Sequence, residues 1–368
     1  MSPRRQPVDR VFLALVLGEL IFGVIMLASV SGPLSFQRFH SSWHYVGHQL
    51  LLGILPGLIG MYVFSRVDYH RFQKIAFPLL VASFFLLLLV FVPGIGATYG
   101  TAKSWIVIGD KFSMQPIEIL KLTFVFYLAA LFASREGSDI RKVLGPLAVA
   151  FGAAAILLML QPDLGGVVLL TSVLMIVGFS AGVPLTYFLA ALTAGCVGIF
   201  ALIKSAPYRA ARLTVFLHPE LDPQGIGYQI NQALLAIGSG GFFGLGLGHS
   251  RQKFSYLPEI LNDSIFPIIA EELGFVFSIA LVAVVVAIFF RGIRIARAAR
   301  DPFGRLTVIG IVGWLTVQSF LNIGAMLSLT PLTGLPLPLI SYGGTAMIVN
   351  LCALGVVLNV SRGSGGSV

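Results

Sequence analysis

The sequence predicts an all-α polytopic membrane protein of about ten transmembrane helices, with a long extracytoplasmic loop between spans seven and eight. Three observations carry this. Of 368 residues, 57% are hydrophobic and only 11% charged, where a soluble domain keeps roughly a quarter charged. The apolar residues gather in runs close to the ~20 that cross a hydrocarbon core. The basic residues behind the net charge of +9 flank those runs, as the positive-inside pattern has them, which makes nucleic-acid binding a poor reading of that charge.

The spans are expected at 11–30, 46–64, 75–92, 116–133, 143–160, 165–181, 186–203, 263–290, 306–327 and 343–360. The basic segment 1–10 precedes a long apolar run without a small-residue cleavage site, so the first span is expected to remain as an anchor. Gln161-Pro162-Asp163-Leu164 joins the fifth and sixth spans, and Gly182-Val183-Pro184-Leu185 the sixth and seventh. An even number of spans puts both termini on one side. With that side cytoplasmic, fifteen Lys and Arg fall in inner segments and eight in outer ones. Most of the outer positives lie in two long loops, which obey the positive-inside rule weakly.

The first of those loops, 94–115, is rich in Gly, Lys and Ser and places Trp105 at interface depth. The second, 204–262, holds polar residues of every kind, with too many aromatic and aliphatic ones for disorder. Cys196 and Cys352 sit in apolar runs without partner spacing, so no disulfide or metal site is implied. No repeat of 20–50 residues is visible, and residues 1–368 read as one domain.

Ionisable residues inside a membrane are costly and mark candidate sites. Here they are Glu19, Glu118, Lys121, Asp163, Asp263, Glu271 and Glu272. Glu118 and Lys121, three apart, share a helix face: they are either a neutralised pair that lets the span insert or a polar site lining a cavity. Asp263 opens the eighth span, either as an N-cap or as a general base within reach of a sugar hydroxyl, with Glu259 as a second carboxylate. The Gly-rich run 238–248 lacks the Gly-Lys-Ser/Thr of a phosphate loop and suits tight turns or close helix approach. His40, His44 and His48 would share one helical face, without the acid or Cys that would complete a zinc site. Lys204, Arg209 and Arg212 form a basic cluster suited either to lipid headgroups or to a pyrophosphate. Three prolines and a Gly pair forbid a regular helix over 331–344, making that segment a candidate cavity wall.

Pro336-Leu337-Pro338-Leu339-Ile340-Ser341-Tyr342-Gly343-Gly344, preceded by Asn322-Ile323-Gly324, closely resembles the signature of the SEDS family, which includes FtsW, RodA and SpoVE. Gln252-Lys253-Phe254-Ser255-Tyr256-Leu257-Pro258-Glu259, Asp263 and Ala270-Glu271-Glu272-Leu273-Gly274 look like its catalytic-loop region. Gly227-Tyr228-Gln229, Gln161-Pro162-Asp163-Leu164-Gly165 and Gln115-Pro116-Ile117-Glu118 with Lys121 are similar too, all in the family's order. The Gln-Lys and Tyr before Leu-Pro-Glu look more like FtsW or SpoVE than RodA. Departures are Ile260-Leu261-Asn262 where the family usually has Ala-His-Thr, Ile117 for the usual Ser, and Lys103-Ser104-Trp105 for a more basic run.

The resemblance implies a multi-pass peptidoglycan glycosyltransferase of the bacterial cytoplasmic membrane, with both termini cytoplasmic, serving cell division or cell shape. It would polymerise lipid II at the outer face with undecaprenyl pyrophosphate as leaving group, beside a class B penicillin-binding protein transpeptidase and membrane lipids. By position Asp263 matches the family's essential aspartate, and Glu118 and Lys121 its intramembrane pair. Lys253, Glu259, Ser341 and Tyr342 fall in the matched motifs and are expected at the substrate. Lys121, Arg209 and Arg212 are candidates for the pyrophosphate charge. A divalent cation, Mg or Mn, is compatible with this chemistry, but no ligand cluster marks its place. The competing readings are a lipid II flippase of the same membrane class and a scaffold without substrate.

Overall fold

A computed structural model describes residues 7–99, 102–108, 112–134, 141–190, 193, 225–254 and 256–363. Among the described residues, eight helices are long and apolar enough to cross a membrane: α1 (Arg10–Phe39), α2 (His44–Arg66), α3 (His70–Leu89), α4 (Pro116–Ala133), α5 (Arg141–Leu160), α8 (Ile265–Arg297), α9 (Pro302–Met326) and α10 (Gly344–Gly363). Between them lie α6 (Leu164–Ser180), apolar but shorter, and α7 (Ile226–Ser239). Nine of the ten expected spans thus have a helix. The seventh, 186–203, falls mostly outside the described residues, of which 185–190 are helical. The chain is a polytopic helical membrane protein.

Local chemistry sets the boundaries. Asp9 accepts from Phe12 N–H at 2.8 Å to cap α1, which runs nine residues past its expected end and stops at His40 in the left-handed region. Asp163 caps α6 through Gly166 N–H at 2.7 Å, and Asp301 caps α9 through Gly304 N–H at 2.9 Å. Pro116 and Pro302 stand in the first turns of α4 and α9, where no N–H is missed. The bundle is layered: 78% of the α4 span and 72% of α9 and α10 are buried, against 22% of α3 and α5, so α4, α9 and α10 form the centre.

Two features depart from the sequence reading. The 94–115 loop is not wholly irregular: β1 (Gly96–Tyr99), β2 (Ala102–Ile108) and β3 (Phe112–Met114) make an antiparallel sheet, pairing Gly96 with Ile106 and Ile106 with Met114. The strands are too short for alternation to stand out beside the Gly and Lys content. The second departure is larger. The eighth span is not one continuous helix, because α8 breaks at Gly274 (φ 78°, ψ −174°).

The Gly-rich run repairs that break. Leu245 and Gly246 donate N–H groups to the carbonyls of Glu271 and Glu272 at 3.0 and 2.9 Å, while Phe275 and Val276 donate to Gly241 and Phe242 at 2.9 and 3.2 Å. Backbone polar groups without water must be met by protein, and here one irregular segment meets those of another. The approach admits no side chain: a Cβ on Gly274 would lie 2.3 Å from Gly244 N, and one on Gly244 2.2 Å from Glu272 O. The close-approach reading of the glycines is therefore the one the structure supports.

Gly274→Ala is expected to lower the melting temperature of the purified protein, since strain of about 1–3 kcal/mol adds to the collision. Gly152→Ala, in open space on α5, is expected to leave it unchanged or slightly raised. Equal melting of both variants in a thermal-shift series would remove the packing argument.

Candidate active site

Three polar residues at four-residue spacing on α9, Trp314, Gln318 and Asn322, face one way into the bundle and are buried. Gln318 Oε1 accepts from Lys121 Nζ at 3.0 Å and from Trp314 Nε1 at 2.8 Å, while its Nε2 donates to Pro336 O at 2.7 Å. One turn on, Asn322 Nδ2 donates to Leu335 O at 2.8 Å and to Asp263 O at 2.7 Å. A single helix face thus ties the intramembrane cation to the proline-rich segment, and that segment to the turn carrying Asp263.

Glu118 and Lys121 meet at 2.6 Å, with side chains 2% and 1% exposed and the ammonium 5.0 Å from the centroid of the Trp314 ring. This corrects the cavity reading: both heads are enclosed beneath the 331–344 segment, as a neutralised pair that also fixes Gln318. Removing one partner of such a pair strands a charge and costs about 3–5 kcal/mol. Lys121 therefore acts on the site through Gln318 and Pro336, not from an open surface.

The turn before α8 is held from the same side. Ser341 Oγ accepts from Leu337 N–H at 2.8 Å and donates to Asn262 O at 2.5 Å, while Tyr342 N–H donates to Leu261 O at 2.8 Å. With Asn322 on Asp263 O, three consecutive carbonyls of the turn are occupied by the wall and α9. Inside the turn, Glu259 has φ 51°, and its carbonyl accepts from Asn262 N–H at 3.0 Å and Ser264 N–H at 3.2 Å. Ile260 and Leu261 are buried in an apolar cluster with Ile265, Ile269, Leu337 and Ile340. The departure at Ile260 and Leu261 therefore serves packing beneath the turn. Asn262, exposed, donates to Glu259 Oε2 at 2.6 Å.

Asp263 is not the N-cap. The helix begins at Ile265, Ser264 holds the cap position, and no side chain caps the helix. Asp263 as a residue is partly exposed, but its carboxylate Oδ1 is buried without a hydrogen-bond partner. Burial first, and then the Glu259 carboxylate, push it up to about 7, against the pull of Gln229 and Ser264. Gln229, on α7, also donates to Ser264 Oγ at 2.9 Å.

Lys253 takes a place other than the one expected. It is 3% exposed, pairs with Glu272 Oε1 at 2.8 Å and donates to Gly248 O at 2.7 Å, so it frames the loop from within and does not face a substrate. Glu272 also accepts from Ser29 Oγ at 2.6 Å. Glu271 accepts from Arg251 N–H at 2.9 Å and from Ser250 Oγ. These two acids anchor 248–253. Tyr342 lies at the surface of the wall, its hydroxyl 2.8 Å from His48 Nδ1 and its ring edge-on to Tyr45. His44 stacks on Phe39 with centroids 3.8 Å apart, so the histidine face serves aromatic packing. Gln49 closes the back of the wall, its Oε1 accepting from Gly343 N–H at 3.1 Å.

Lys204, Arg209 and Arg212 lie outside the described residues. Among those described, no group of three or more His, Cys, Asp or Glu is arranged to hold a metal ion, and Asp263 has only Glu259 as a carboxylate neighbour in its turn. Gln318 and Gln49 escaped the sequence reading. The available signal was the α9 spacing, where amides and an indole recur every fourth residue inside an apolar span.

Residues 9–365 match the cell cycle protein family FtsW/RodA/SpoVE. The stage V sporulation protein E of Bacillus subtilis (strain 168) is 38% identical over 364 residues, 98% of this chain and 99% of its own length. A probable peptidoglycan glycosyltransferase FtsW from Geobacter sp. (strain M18) is also 38% identical, over 96% of each chain. The fold is similar to the crystal structure of the rod shape determining protein RodA of Thermus thermophilus, with a TM-score of 0.72 and 29% identity over 99% of this chain and all of that one. It is similar as well to a chain from a structure on the coordination of polymerization and crosslinking by a peptidoglycan synthase complex, with a TM-score of 0.81 and 28% identity over 98% of this chain and 99% of that one. With its motifs in order and residues 9–365 matched, this chain belongs to the FtsW/RodA/SpoVE family of cell cycle proteins.

Proposed function

We propose that the chain is a peptidoglycan glycosyltransferase that polymerises lipid II at the outer face of the cytoplasmic membrane, in wall synthesis for division or cell shape. One observation carries the proposal: a carboxylate held near neutrality, with one oxygen unpartnered, on a turn whose main chain is fixed on three successive carbonyls. The names of the relatives agree with it, as does the distribution of Lys and Arg, which favours cytoplasmic termini.

In this reading the Asp263 carboxylate takes the proton from the 4-hydroxyl of the acceptor's GlcNAc. The freed oxygen attacks the anomeric carbon of the donor, the bond from that carbon to the pyrophosphate oxygen breaks, and undecaprenyl pyrophosphate leaves with inversion. A general base works best with a pKa near the operating pH, which is where burial and Glu259 put this one. Arg209 and Arg212 are assigned to the pyrophosphate, a role their paired guanidinium chemistry suits. Lys121 and Lys253 are assigned to the frame. The proposed partner is a class B penicillin-binding protein, in line with the synthase complex among the similar structures. The flippase reading draws on the broken helix, since transporters bind cargo at such breaks. Here the backbone groups nearest the break are taken by the Gly-rich run, which leaves the enzyme reading ahead.

Asp263→Asn is expected to fold normally and lose about two to four orders of magnitude of lipid II polymerisation by the purified complex. Full-length glycan from that variant would end the general-base role. A flippase would translocate labelled lipid II and lengthen no glycan. The pH profile supplies a second check. A base must be ionised, so polymerisation should rise as pH climbs through about 7, and Glu259→Gln, which removes a neighbouring negative charge, should move that limb to lower pH. A limb that stays in place in Glu259→Gln would disprove the coupling. Asn322→Leu is expected to cut kcat about tenfold to a hundredfold with little change in KM, because it frees the main chain of the base without touching a substrate subsite.

A further inference from the structure

Glu19 is used by nothing described above. It lies on α1 nine residues past Arg10, about 14 Å along the axis and so near mid-membrane. Its side chain is 6% exposed, and no residue among those described offers it a hydrogen bond or an ion pair. It forms part of the floor of a groove of about 540 Å³ between α1 and α8, walled by Ala14, Gly18 and Phe22 on one side and Phe277, Ala280 and Val284 on the other. Behind Glu19 a void of about 20 Å³ reaches Pro338 and Leu339 of the wall. The groove is open at the surface of the bundle, where its lining residues Val11 and Phe277 are 52% and 51% exposed.

We propose that this groove seats one transmembrane helix of another protein, which presents an amide or basic side chain to Glu19. Two independent features select a helix. Ala14 and Gly18 stand four residues apart on the groove face, and a Cβ on Gly18 would meet nothing within 4 Å, which is the open, small-residue surface that lets helix backbones approach closely. An acyl chain would fill the groove but has no donor for a buried carboxyl, whereas a polar side chain on a helix supplies one at the right depth. The proposal is independent of the reaction assigned above, since Glu19 touches neither the Asp263 turn nor the Glu118–Lys121 pair.

The test uses the full chain in lipid vesicles with two labelled peptides, each a Leu/Ala helix of about 20 residues, one with Asn at its centre and the other with Leu. Energy transfer should report the Asn peptide binding about fivefold to thirtyfold more tightly. Glu19→Leu should erase that difference. Gly18→Leu, whose side chain grows into open space, should block both peptides while leaving the melting temperature unchanged. Equal binding of the two peptides, or full binding to Gly18→Leu, overturns the proposal. So does self-association of the chain that disappears in Glu19→Leu, which would make the occupant a second copy. A phospholipid retained in native mass spectra of the unaltered chain, lost in Glu19→Leu and displaced by neither peptide, overturns it as well.

Discussion

The site rests on two side-chain amides reading carbonyls inside a membrane protein. Pro331, Pro336 and Pro338 keep the connection between α9 and α10 out of helix, which leaves its backbone acceptors unmet where water is scarce. Gln318 and Asn322 meet Pro336 O and Leu335 O, and the second donor contact of Asn322 reaches Asp263 O. An irregular wall is affordable only because a regular helix beside it carries donors at the right spacing. The Glu118–Lys121 pair belongs to the same device: the ammonium binds Gln318 Oε1, which turns the amide so that its NH₂ faces the wall.

A second irregular pair works by the same rule without side chains. The α8 break exposes carbonyls at Glu271 and Glu272, and the Gly-rich run meets them with main-chain N–H groups, which is possible only at contact distances that exclude Cβ. The break also turns the Glu271 and Glu272 side chains toward 248–253, where one collects main-chain donors and the other neutralises Lys253. The turn that carries Asp263 therefore lies between two braced segments, the proline wall on one side and the acid-anchored loop on the other.

Much of this was legible in the sequence, and the boundary is physical. The place and order of the nine expected spans that have a helix among the described residues followed from apolar length, because the bilayer imposes it on each helix separately. Asp263, Glu118 and the proline wall stood out because each breaks an apolar pattern at a cost. The break at Gly274 was not legible, since a lone glycine within a long apolar run reads as helix, and only contact with 240–246 makes it a bend. The inward turn of Lys253 was hidden for a similar reason: its partner Glu272 is nineteen residues away. The choice between N-cap and free carboxylate at Asp263 hinged on a one-residue difference in helix start, finer than any periodicity resolves.

That small difference decides the chemistry. A carboxylate in the cap position would accept from the first N–H groups of α8 and feel the positive end of its dipole, and both effects hold an acid low. Asp263 stands one residue earlier than the cap, and its neighbours prevent it from slipping into place: moving the turn by one residue would break the bonds to Leu261, Asn262 and Asp263 carbonyls together. Those bonds contribute stability, but their more specific effect is to keep the carboxylate away from the donors that would neutralise its basicity. Burial and the Glu259 charge raise it, and they outweigh the hydrogen bonds from Gln229, Ser264 and its own main chain that pull the other way. The amides of α9 thus matter to catalysis by what they deny to Asp263 as much as by where they hold it.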